Sequence, residues 1–114
     1  EWPLSPGRAG ASARPRPNLV LGNDLDDEQV AWCLARVVPE APRLASDPVD
    51  LSPLEGPMPR SWICTLRDLI IPAEKQRRFA GNAGNCPVLE LDAGPMGMVS
   101  EPAALAATLN DLAG

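Results

Sequence analysis

SWICTLRDLIIPAEKQRRFAGNAGNCPVLELDAGPMGMVSEPAALAATLNDL, residues 61–112, alternates apolar runs with helix and turn signals in a single repeating order. It opens with SWICTL (61–66), a short apolar run suited to a buried parallel strand. Pro72 stands where its fixed φ favours the start of a helix, and Gln76, Phe79, Ala80 and Ala83 supply that helix with an inward face. Gly84 suits the C-terminal cap, because a left-handed residue commonly ends a helix. Val88–Leu91 reads as the second strand. Ser100 then caps a last helix in which Leu105, Leu109 and Leu112 recur at i, i+4 and i+7. A strand-helix-strand crossover of this length predicts parallel pairing with a right-handed connection. The fold class is therefore α/β. Two parallel strands leave both faces and both edges in need of cover, so the segment reads as the end of a larger doubly wound sheet.

Upstream the pattern changes. Residues 39–59 hold six prolines and read as an extended connector, which Leu44, Val49, Leu51 and Leu54 could anchor. Before it, Val30, Leu34, Val37 and Val38 fall at i, i+4, i+7 and i+8, predicting an amphipathic helix over about 25–38 that Pro39 and Pro42 end. Asp24, Asp26, Asp27 and Glu28 gather at its start, where capping and the helix dipole favour carboxylates. Asp24-x-Asp26 also begins like a calcium loop, but Gln29 stands where that loop needs Gly and Ala35 where it needs Glu. Capping is the better account. Residues 1–17 (EWPLSPGRAGASARPRP) have no periodicity and little to bury, and read as a disordered Pro/Arg-rich arm. The chain thus divides into an arm (1–17), a helix with a Pro-rich connector (18–59) and a strand-helix-strand-helix unit (60–114).

Composition narrows the chemistry. The 114 residues include 14 Pro, 9 Gly and no His. A Ser-His-Asp or Cys-His hydrolase cannot be assembled from this chain alone, and the commonest zinc ligand is missing. The net charge of −5 is uneven: residues 1–17 carry +2, residues 18–59 carry −6 and residues 60–114 carry −1. An acidic chain without a long basic stripe is a poor nucleic-acid binder, and Lys75, Arg77 and Arg78 read as a solvated helix face. Cys33, Cys64 and Cys86 form no C-x-x-C pair, and each sits in an apolar run. They read as three reduced core thiols, hence a cytoplasmic protein with no metal and no cofactor. No stretch approaches the ~18 apolar residues of a membrane span, and residues 1–17 lack the apolar core of a signal peptide. The start at Glu1 rather than Met suggests a fragment or a processed product.

The succession of features is specific as a combination. A strand over residues 62–66 is followed by Asp68, then Ile71-Pro72 at a helix start, Gln76 within it, the strand Val88–Leu91, Gly94-Pro95 and a last helix over residues 102–112. This resembles the C-terminal end of α/β-hydrolase-fold enzymes, nearest to the methylesterase and hydroxynitrile-lyase-like branch. NDLDDEQVAWCLARVVPE, from Asn23, is similar to a helix of the small cap domain of such enzymes. The resemblance spans roughly residues 19–113 and makes residues 18–59 a remnant of the cap domain.

It implies a carboxylic-ester hydrolase ancestry with a small ester-like substrate, and a Ser, an acid and a His in that chain order. Asp68 falls at the acid's position, where it would orient and stabilise an imidazolium. The position of the His holds Pro95, which has no titratable group and no backbone donor. No G-x-S-x-G elbow is present: Ser12 in GASAR is followed by Arg14 where the second Gly should stand. The oxyanion-hole donors belong with the missing early strands. The expectation is an esterase-like protein that is catalytically incomplete as it stands, with a non-enzymatic module pairing with itself or another chain through an exposed sheet edge as the alternative. Met96 and Met98 suit gap-filling core better than an acyl pocket, and Trp32 suits a packed helix aromatic better than a cap-side pocket. Glu90 and Asp92, alternating at one strand end, are poorly placed to flank a sugar from opposite sides.

Overall fold

The computed structural model of the chain describes residues 21–39, 41, 43 and 46–114. The expected arm over 1–17 lies outside them. The described chain runs through helix α1 (Asp27–Leu34), a 3₁₀ turn (Ser52–Glu55), strand β1 (Trp62–Thr65), helix α2 (Ala73–Asn82), strand β2 (Val88–Leu91), the short helix α3 (Gly97–Ser100) and helix α4 (Pro102–Ala113). It is mixed α/β, with a two-stranded parallel sheet.

The sheet pairs as the crossover predicts. β1 and β2 are parallel, with Trp62 beside Val88 and Thr65 beside Leu91. Backbone bonds continue past both strand ends: Trp62 N–H donates to Pro87 O at 2.8 Å, Leu66 N–H to Leu91 O at 2.9 Å and Arg67 N–H to Ala93 O at 2.9 Å. α2 packs on β1 and α4 on β2. Gln76 and Ala80 are the buried residues of α2, with Phe79 and Ala83 half-buried beside them. Its end is as read: Ala83 is the C-cap, and Gly84 follows at φ +98°, in the left-handed region that favours glycine. The Trp62 and Phe79 rings, 6.2 Å apart at 55°, close the α2–β1 contact.

Three readings need correction. The first helix ends at Leu34, not near residue 38, and Val37 and Val38 are 64% and 73% exposed. Beyond Leu34 the hydrogen bonds tighten to the i→i+3 type, Arg36 N–H to Cys33 O and Val37 N–H to Leu34 O. Pro39 disfavours a helical Val38 before it. The buried residues of the helix are Gln29 and Cys33; Leu25, just before it, is also buried, and Val30 and Trp32 are half-buried against Leu25, Cys33 and Val99. Asp26 closes this helix's N-terminus in a reciprocal capping box with Gln29.

The leucines of α4 are the second correction. No residue of this helix is buried, and Leu109 and Leu112 are 50% and 41% exposed. Two four-residue strands offer too little surface to cover a twelve-residue helix. Ser100 does not cap it either: it is the buried last residue of α3, its hydroxyl donating to Met96 O, and Glu101 stands at the N-cap position. The third correction concerns the strands and thiols. Cys64 is fully buried, but its neighbours on β1 are half-exposed, and Val88 on β2 is 38% exposed. Cys33 and Cys64 are buried free thiols as expected, whereas Cys86 is half-buried.

Candidate functional site

In a parallel sheet both strands deliver their following loops to the same end. The loop after β1 carries Arg67 and Asp68; the loop after β2 carries Asp92, Gly94 and Pro95. The topology therefore sets Asp68 and Pro95 at one end of the sheet, in neighbouring loops.

Asp68 is half-buried and engaged in its own loop. Its Oδ1 accepts from Ile70 N–H at 2.7 Å and Ile71 N–H at 2.9 Å, and its Oδ2 accepts from the Thr65 hydroxyl at 3.4 Å. This is the turn chemistry of a carboxylate that folds the chain back on itself towards Pro72. The helix behind it adds a second tie. The Gln76 amide nitrogen donates to Ile71 O at 2.7 Å and to Thr65 O at 3.0 Å, while its oxygen accepts from Thr65 N–H at 3.0 Å. Thr65, Asp68, Ile71 and Gln76 thus form one hydrogen-bonded unit that holds the carboxylate in place.

The segment preceding α1 joins the two loops. Asn23, 6% exposed, donates through Nδ2 to Arg67 O at 2.8 Å. Gly94 N–H donates to the Asp24 carboxylate. The absence of a side chain at Gly94 makes this approach possible: a Cβ there would stand 2.3 Å from Asp24 Oδ1. Arg67 is the cationic counterpart, its guanidinium 3.1 Å from both Asp92 Oδ1 and Glu101 Oε1 and also donating to Asp92 O. Nothing local in the sequence marks Asn23 and Asp24 for this role. They lie beside the helix-capping acids, and their partners are 44 and 70 residues away.

The remaining candidates have structural surroundings. Pro95 is half-buried and follows Gly94 directly. Met96 is packed against the Leu25–Cys33–Val99 cluster, whereas Met98 is half-exposed on α3. Trp32 is half-buried with the Arg36 guanidinium 4.0 Å above its ring. Glu90 pairs with Arg77, and Asp92 with Arg67, so neither is an uncommitted acid. Burial pushes the Cys33 thiol up from its ordinary value of 9.0, opposed by the nearby Arg36 charge. Among the described residues no group of three or more His, Cys, Asp or Glu could hold a metal ion. Nor is any helix there long and apolar enough to cross a membrane.

At the opposite end of the sheet, Arg60 anchors the approach to β1. Its guanidinium donates to Ala83 O at the end of α2, and to Pro53 O and Gly56 O in the connector. An open cleft of about 470 Å³ lies beside it, lined in part by Met58, Asn85, Cys86 and Pro87.

No family model matches the chain, and neither does any curated protein or solved structure.

Proposed function

We propose that this chain is an esterase-like α/β-hydrolase segment that does not itself hydrolyse esters, with Asp68 as an inherited acid and Pro95 in the place of the general base. The observation that carries the reading is the parallel register of β1 and β2. It brings the Asp68 loop and the Gly94-Pro95 loop to one sheet end, as the order strand, acid, helix, strand, base requires of such an enzyme. The chemistry then follows from what stands there. An acid of this kind works by holding an imidazole, and the sequence contains none. Asp68 is left binding backbone amides of its own loop, an arrangement that keeps the turn and activates no nucleophile.

The test is turnover of a p-nitrophenyl ester by the purified chain and by Asp68→Ala. The expected rate equals that of the heat-denatured control for both. Turnover that Asp68→Ala abolishes overturns the inactive assignment. The positional claim has its own readout: in Pro95→His the introduced imidazole should titrate above its ordinary ~6.5, because a carboxylate nearby favours the charged form. Asp68→Asn in that background should return it. An imidazole indifferent to Asp68→Asn refutes the pairing of the two positions.

A further inference from the structure

Among the described residues β1 pairs with β2 on one side only, so its other edge should be open to an added strand. Which backbone groups face that edge follows from the ladder. Trp62 and Leu66 send their N–H groups to Pro87 and Leu91, towards β2. By the two-residue alternation of a strand, Ile63 and Thr65 present theirs to the outer edge.

At Thr65 that edge is already occupied. Thr65 N–H donates to Gln76 Oε1 and Thr65 O accepts from Gln76 Nε2, both at 3.0 Å. One side-chain amide thus makes with one residue the two-bond exchange that a neighbouring strand would make. Gln76 is 4% exposed and is fixed further by its bond to Ile71 O. Within Trp62–Thr65, only Ile63 keeps an outward position for pairing, and a single residue does not hold a strand.

We infer that Gln76 is an internal edge guard, whose side-chain amide fills the pairing positions of Thr65 and keeps a second copy of this chain from adding its own strand to β1. A second copy is the relevant strand donor because residues 61–66 carry no charge and no proline to discourage self-pairing. Every copy presents the same edge, so without the guard a two-fold contact between like strands would be available. The inference does not depend on any hydrolase ancestry.

The experiment compares wild type with Gln76→Met, which keeps the side chain's length and removes its hydrogen bonds. By sedimentation velocity over a concentration series, the self-association constant of Gln76→Met should exceed that of wild type by roughly tenfold or more. Adding Thr65→Pro, which removes the outward donor at a position tolerant of proline, should bring it back to the wild-type value. A folded Gln76→Met that associates no more than wild type overturns the inference. So does association that survives Thr65→Pro. Hydrogen exchange of the wild-type chain decides the matter where the variant does not fold. The Thr65 amide should exchange at least about tenfold more slowly than that of Ile63, as a bonded amide beside an open one does. Equal rates refute the guard.

Discussion

Replacing Asp68 separates a turn-holding carboxylate from an idle one. Its Oδ1 accepts two backbone N–H groups, at 2.7 and 2.9 Å, and Oδ2 a weaker contact from Thr65 at 3.4 Å. A hydrogen bond to a charged group contributes about 1.5–3 kcal/mol where it is well shielded. The Asp68 loop is half-exposed, and Ile70 and Ile71 reach water readily, so the two short bonds together should contribute about 1–2 kcal/mol. Asp68→Ala removes both acceptors and should lower the stability of the chain by that amount. Asp68→Asn keeps an acceptor oxygen and should cost about 0.5 kcal/mol or less. In thermal denaturation followed by circular dichroism, about 1 kcal/mol corresponds to a midpoint shift of roughly 4–8 °C for a domain of this size. Equal shifts for the two variants would show that the charge, not the pair of accepted N–H groups, is what matters. No shift in Asp68→Ala would refute the assignment of Asp68 to its own turn.

Other perturbations test the contacts that join the parts. Gln29 is 1% exposed and donates to Val99 O at 2.9 Å while accepting from Asp26 N–H, so Gln29→Leu should destabilise by about 2 kcal/mol in urea denaturation, with α1 losing its hydrogen-exchange protection first. Gly94→Ala forces a Cβ to 2.3 Å from Asp24 Oδ1 and should break the Gly94–Asp24 contact, at a cost of about 1–3 kcal/mol; the same substitution in an Asp24→Ala background should cost measurably less. Burial raises the Cys33 thiol, so the folded chain holds that proton where the unfolded chain has lost it. Stability should fall as pH rises above about 9.0, and Cys33→Ala should flatten that limb of a pH-dependent urea midpoint.

Much of the fold is legible in the chain because its signals are local. The β-branched and apolar runs at Trp62–Thr65 and Val88–Leu91, Pro72 before α2 and Gly84 after it each act within a few residues. Their order alone implies the parallel pairing. Periodicity misleads where it finds no surface to meet. Val37 and Val38 continue the spacing of Val30 and Leu34, but the helix ends at Leu34 and tightens into i→i+3 turns, and Pro39 disfavours a helical Val38, so neither valine turns inward. Leu109 and Leu112 keep perfect helical spacing on α4, yet about half of each remains in water because the sheet of the described residues is two short strands wide.

The candidate site divides in the same way. That Asp68 follows one strand, that Pro95 follows another and that no His exists anywhere were determined by the sequence itself. Packing of the folded chain is what brings Asn23 and Asp24 to the loops after both strands and Arg67 to Asp92 and Glu101. It likewise turned Gln76 from an inward-facing helix residue into a partner for the backbone of β1. The physical reason is range. Capping, turn formation and strand propensity depend on neighbours in the chain, whereas a side-chain amide or carboxylate finds a distant backbone group only once packing has brought the two together.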